Sequence, residues 1–225
     1  MNTDAEIRRV LFAQPIFSGV DPGIVEAFAA RCRMNIYPAG TLLLKQGQRG
    51  DVLMLLVSGA VHFRCQLGAR STTLAILREP TLFSLGAIIE KTGAMADAFA
   101  LDSVQVVSVD GVVVRELMLA DARFATNLAV QLSGNVRGFV QSAVEQKLLT
   151  GPKRLANFLA QEFERQGQTT EIELPFQRQV IASLLGMTPE NLSRAFDVLE
   201  RHGVRNDRVR VAVESIDDLV AFGKG

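Results

Sequence analysis

The chain has 225 residues, with 24 Lys/Arg balanced by 24 Asp/Glu, two His, two Cys and no Trp, and 48% of its residues are apolar. No apolar run approaches the roughly 20 residues that span a bilayer, and the opening MNTDAEIRRV lacks an apolar stretch of signal-peptide length. Two cysteines cannot form a disulfide scaffold, so a reduced, cytoplasmic protein without membrane contact is expected. Zero net charge offers no argument for nucleic acid, although Arg194, Arg201, Arg205, Arg208 and Arg210 cluster late and allow a local basic face.

The first thirty residues read as two short helical segments separated by Pro15, the second opened by Asp21 as N-cap and Pro22 at the first helical position. From Asn35 to about Val114 glycines separate short apolar runs: TLLL (41–44), VLMLLV (52–57), AVHFRC (60–65), TTLAIL (72–77) and SVQVVSV (103–109). Such strands predict an antiparallel barrel or sandwich, and runs that are apolar throughout suit strands buried on both faces. Residues 121–149 change to a helical period, with Phe124, Leu128, Leu132, Val136, Phe139, Ala143 and Leu148 along one stripe. A helix about 40 Å long exceeds what one small barrel covers. The stripe through Leu128, Leu132, Val136 and Phe139 is therefore expected to pack against a second copy, the plainer alternative being a helix lying across its own domain. Thr150-Gly151-Pro152 breaks this pattern and predicts a domain boundary and hinge. The expected division is 1–120 for the β domain, 121–149 for the long helix and 150–225 for a C-terminal domain. In the latter, KRLANFLAQEF (153–163) reads as a helix, QGQTT (166–170) as a polar turn and EIELPF (171–176) as a strand, with two helices and a hairpin beyond.

Residues 175–203 hold the most specific pattern. RQVIASLLG (178–186) predicts a short helix ended by Gly186 in the left-handed conformation, with Val180, Ile181, Leu184 and Leu185 inward. Thr188-Pro189-Glu190 supplies an N-cap and a Pro at the first position of the next helix, ENLSRAFDVLERHG, which buries Leu192, Phe196 and Leu199. Two helices joined by a short Gly-containing turn make a helix-turn-helix, whose second helix enters the DNA major groove with its N-terminal residues. Here those are Glu190, Asn191, Ser193 and Arg194, with Thr188 just before them. Arginine bonds guanine O6 and N7 together, a carboxylate accepts from cytosine N4, and serine meets a base edge or a phosphate. Glu190 and Arg194 also stand one turn apart and can orient each other. The competing reading is a solvated helical hairpin with a surface ion pair.

The stretch LLGMTPENLSRAFDVLERHGV resembles the recognition region of the Crp/Fnr regulators, and its ENLSR core resembles the Fnr branch. The resemblance implies an α+β protein: an N-terminal antiparallel β-roll sensory domain, a long dimerisation helix and a C-terminal winged helix-turn-helix with RVRVAV (208–213) as wing. Gly40, Gly47, Asp51 and Gly59 resemble the spacing of the β-roll. It further implies a homodimer on double-stranded DNA, a TTGA-type palindrome read by Glu190, Ser193 and Arg194, and RNA polymerase as partner, as for an activator. Arg178 stands where the family contacts phosphate, outside any core. Pro189 stands where the Crp branch has arginine, which removes a Crp-type contact.

The resemblance also narrows the effector. Cyclic-nucleotide-binding relatives hold ribose with a Gly-Glu pair and phosphate with an Arg-Ser pair; aligned through IIEK, the matching residues are Phe83 and Ser84, then Ala94 and Met95. A buried phosphate needs a cation or several donors, so cyclic AMP is not expected. An iron–sulfur cluster needs about four thiolates and is excluded within one subunit. Haem, bound by relatives that respond to nitric oxide or carbon monoxide, is the remaining candidate cofactor with His62 as its ligand, but one histidine with no second obvious ligand favours the plainer reading of a strand histidine, exposed or satisfied by a carbonyl. His202, after the second helix, reads as structural, and Cys65 as a small hydrophobe. No nucleophile–base set, HExxH or phosphate loop argues for an enzyme. The alternative function is a cyclic-nucleotide-binding-like scaffold without sequence-specific DNA activity.

Overall fold

A computed structural model of the chain describes residues 3–78, 80–167, 170–207 and 209–224. Arg208 of the expected wing and Gln168 and Thr169 of the expected polar turn lie outside the described residues. Two compact units are formed, one running to Arg137 and the other from Gly138.

The first unit opens with α1 (Thr3–Phe12), a single 3-10 turn at Pro15–Phe17 and α2 (Pro22–Ala29). The Asp21 carboxylate accepts the Gly23 N–H at 2.8 Å, the cap expected there. Six strands follow: β1 (Arg33–Tyr37), β2 (Leu42–Leu44), β3 (Val52–Ser58), β4 (Ala60–Leu67), β5 (Arg70–Arg78) and β6 (Thr81–Phe83). After α3 (Leu85–Glu90) come β7 (Asp97–Ala100), β8 (Val104–Asp110), α4 (Gly111–Ala120) and α5 (Ala122–Leu148), which crosses into the second unit. The strands form two antiparallel sheets, in orders β1-β8-β3-β6 and β2-β7-β4-β5.

VLMLLV is apolar throughout because β3 separates two cores. Leu53 and Leu55 face a cluster that includes Phe17, Phe28 and Phe124, while Met54 and Leu56 face the space between the sheets with Val61, Phe83 and Val104. The four central side chains of the run, Leu53 to Leu56, are thus buried on both faces, in keeping with alternation along a strand, while Val52 and Val57 at its ends are half-buried. The β3–β4 turn depends on Gly59, whose φ is +87° and whose Cβ, were there one, would stand 2.5 Å from Asp102 Oδ1. Asp51 and Arg115 tie β3 to α4 through two hydrogen bonds of 2.6 and 2.7 Å. The neighbouring guanidinium holds the Asp51 carboxyl below its ordinary value.

The second unit contains the end of α5, then α6 (Gly151–Arg165), β9 (Glu171–Glu173), α7 (Arg178–Leu184), α8 (Pro189–Glu200), β10 (Val204–Asn206), β11 (Arg210–Val213) and α9 (Ile216–Lys224). Its three strands make an antiparallel sheet in the order β10-β11-β9. Leu155, Leu159, Phe163, Ile181, Phe196, Leu199 and Leu219 form a core of its own. The final helix α9, absent from the expectations, closes that core with Leu219.

The stripe on α5 divides. Phe124 and Leu128 are fully buried in the first unit's core, and Leu132 packs partly against it. Leu128 is thus corrected from a seam residue to a core residue. Phe124 meets Phe17 and Phe28 at ring-centroid distances of 5.4 and 6.1 Å, and Asn127 donates to the Ile16 and Ser18 carbonyls. Farther along, Val136, Phe139 and Val140 are 61%, 54% and 58% exposed. One helical period therefore serves two purposes, and only its second half lacks a partner within the described residues.

Candidate nucleic-acid interface and the β-roll interior

The helix-turn-helix is built locally as its residues require. Gly186 takes φ +64° at the end of α7, and the Met187 N–H returns to the Ala182 carbonyl at 2.9 Å. Thr188 caps α8, its hydroxyl oxygen accepting the Asn191 N–H at 3.2 Å. On the inner face Leu192, Phe196 and Leu199 are buried. Truncating a buried Phe of this kind costs about 3–5 kcal/mol, so this face fixes the roll of α8 about its axis.

The outer face carries Glu190, Asn191, Ser193 and Arg194, all exposed. The Ser193 hydroxyl donates to the Pro189 carbonyl at 3.2 Å, leaving its oxygen able to accept. Glu190 titrates below its ordinary value because the Thr188 hydroxyl and its own backbone N–H bond it, with Arg194 adding a positive field. The outer face of α8 therefore presents an ionised acceptor beside a permanent five-donor cation on the first two turns of a helix. Thr188 is exposed, but its hydroxyl serves the cap and Glu190.

Arg178 differs from expectation. Its guanidinium lies 4.8 Å from the centroid of the buried Phe196 ring and donates to Asn206 Oδ1. The side chain is partly buried and braces α7 against α8 and β10, so it is not the purely peripheral arm expected. Nothing local in the sequence signals this, because Phe196 and Asn206 are brought to Arg178 only by the fold.

Arg154, which the sequence did not single out, bonds three carbonyls: Leu185 through Nε at 2.8 Å, Leu149 at 2.6 Å and Gln146 at 3.4 Å through one terminal nitrogen.

In the β-roll, Val61 and Phe63 point into the apolar interior, where Phe63 and Phe83 meet edge to face at 5.6 Å. His62, between them, projects from the opposite face of β4. Its Nε2 is 2.8 Å from Thr73 Oγ1, and burial, with the Arg64 guanidinium nearby, lowers its pKa. As a haem ligand His62 fits poorly: its Nε2 is engaged with Thr73, and it lies on the face of β4 opposite Val61 and Phe63, which pack in the interior. The contact with Thr73 suits the plainer reading of a satisfied strand histidine, its partner being a hydroxyl and not a carbonyl. Among the described residues, no group of three His, Cys, Asp or Glu side chains is placed to hold a metal.

The residues aligned with the nucleotide-binding pairs do not form an anion site. Ser84 has φ 69°, and its hydroxyl lies 2.5 Å from the Val52 and Phe83 carbonyls. Ala94 is buried, and its backbone N–H already donates to the Gln48 carbonyl at 3.0 Å. The Met95 side chain is 78% exposed, directed to solvent. Nearby, buried Asp97 accepts the Gln46 N–H at 2.8 Å and pairs with Lys45 at 3.3 Å, which together hold its pKa below the ordinary value. That carboxylate, missed in the sequence, also stands 3.9 Å from the Arg64 guanidinium, so both nearby cations, Lys45 and Arg64, already have an internal partner. Cys32 donates to the Phe28 carbonyl, and burial pushes its thiol up to about 12, which suits a packed hydrophobe.

No helix among the described residues is long and apolar enough to cross a membrane. The profile of the cyclic nucleotide-binding domain matches residues 34–121, and that of the Crp-like helix-turn-helix domain matches residues 153–222. The cyclic AMP receptor protein of Thermus thermophilus is 29% identical over 220 residues, spanning 93% of this chain and 97% of its own. Among solved structures, FixK2 from Bradyrhizobium japonicum superposes with a TM-score of 0.75 at 20% identity, covering 85% of this chain and 96% of that one. The c-di-GMP-responsive global regulator CLP of Xanthomonas campestris gives 0.72 at 20% identity, covering 87% and 100%. A cyclic-nucleotide-binding fold followed on the same chain by a Crp-like helix-turn-helix domain defines the assignment: the chain belongs to the Crp/Fnr family of transcriptional regulators.

Proposed function

We propose that this regulator binds a TTGA-type palindrome as a homodimer, with Glu190, Ser193 and Arg194 reading bases in the major groove of each half-site. The observation that carries the reading is the outer face of α8: an ionised Glu190, Ser193 and Arg194 exposed on its first two turns, over an inner face locked in the core. Two-fold symmetry would separate the two readers by about 34 Å, so the half-sites should lie one helical turn apart. Selection of binding sequences from a random pool, at stated salt, tests this directly. Enrichment of a single unpaired site, or of no site, would overturn it.

The β-roll serves in this proposal as a sensory or scaffolding domain that does not take cyclic AMP, although relatives are named for that ligand. Cyclic AMP carries an anion, Ala94 and Met95 bring no cation to meet it, and the nearby Lys45 and Arg64 are paired with Asp97. Calorimetry should register no binding at millimolar cyclic AMP. A micromolar dissociation constant would mean that other donors take up the phosphate. Activation through RNA polymerase and a cytoplasmic location complete the proposal by family likeness.

A further inference from the structure

Thr150-Gly151-Pro152 looks like a hinge in the sequence, but the second unit packs across it. Gly138 through Leu148 of α5 belong to the same compact unit as the helix-turn-helix. Gly151 does not take positive φ; instead the Met187 methyl, from the reader's turn, lies 3.5 Å from where its Cβ would be. The Gln146 side chain reaches equally close to Gly186. Between them, Arg154 donates to Gln146 and Leu149 at the end of α5 and to Leu185 at the end of α7. Carbonyls at helix C-termini lack intrahelical partners and carry partial negative charge, so one guanidinium satisfies two helix ends at once.

We infer that Arg154 is a positioning residue for DNA recognition, a bolt that makes the last turns of α5 and the helix-turn-helix one body and thereby fixes half-site spacing. The inference rests on the palindrome reading above. If each reader is fixed to α5, and the two copies of α5 are held together, the separation and relative rotation of the readers are fixed as well. One added base pair displaces a half-site by about 3.4 Å and rotates it by roughly 35°, given a turn of about 34 Å. A bolted pair of readers cannot follow that change; a hinged pair can.

Fluorescence anisotropy of the full chain on palindromes spaced one helical turn apart, and one or two base pairs more or fewer, tests this. Wild type should lose roughly tenfold in affinity, about 1.4 kcal/mol, when the spacing departs from its optimum. R154A should bind all spacings within about threefold of one another. R154K, whose compact ammonium cannot span both helix ends as a planar fork does, should fall between. Thermal melting identifies a variant that fails to fold; should R154A fail, R154K decides by the same spacing series. A folded R154A with the wild-type optimum, merely weaker or less stable, would make the arginine an ordinary helix cap and overturn the inference alone. A wild type without a spacing optimum would overturn the palindrome reading, and this inference with it.

Discussion

Val136→Asp combined with Phe139→Asp is expected to give a monomer in sedimentation at concentrations where the wild type is a dimer. Both side chains project from α5 with more than half of their surface exposed, so neither change empties a cavity in the first unit's core. In the proposed dimer the same residues occupy an apolar seam, where each copy would bring in two carboxylates without partners. The obvious alternative, charging Leu132, is a poorer test because that side chain packs partly against the first unit's core and would confound folding with association. The double variant should therefore melt as wild type does within its separate units. Its affinity for a palindrome should fall by about 10²–10⁴, because the second half-site no longer benefits from a tethered reader. A double variant that remains dimeric would place the interface elsewhere on the chain.

The two halves of α5 illustrate which features the sequence discloses. A 3.6-residue period states that one face is apolar, not what covers it, and the same stripe serves the core at Leu128 and solvent at Phe139. The helix-turn-helix was legible for the opposite reason: Gly186, Thr188 and Pro189 impose their conformations through local backbone chemistry, and each does so in the structure. Strands β1, β6 and β7 were not foreseen. DAFA at β7 has small residues and no β-branched run, and Ala98 and Ala100 become strand residues by fitting against Val61 and Phe63 of β4. GVVVRELMLA shows the reverse case, a β-branched run extended to Val114 by the strand-like texture but folded as α4. The Gly111 N–H, bonded to the Asp51 carbonyl at 2.7 Å, and the Asp51–Arg115 pair hold it there. Arg154 and Asp97 escaped notice because their partners are carbonyls, N–H groups and charges brought close only by the fold.

Arg194→Ala and Arg178→Ala should separate base reading from scaffold support. Arg194 is exposed, so its loss should leave melting near the wild-type temperature while costing roughly 1–3 kcal/mol per half-site and relaxing preference at one guanine position. Arg178 rests on Phe196 and bonds Asn206, so its removal withdraws a cation–π contact and a charged hydrogen bond from a partly buried place. That variant should lose about 1–3 kcal/mol of stability. If Arg178 also meets a phosphate, binding to every sequence should weaken alike, with a shallower salt dependence. Binding selections on wild type and both variants, run beside thermal melts, read the contrast in one experiment. The decisive position is the guanine: were Arg194→Ala to retain the wild-type preference there, Arg194 would not read a base, and the Fnr-type assignment of Glu190, Ser193 and Arg194 would fall.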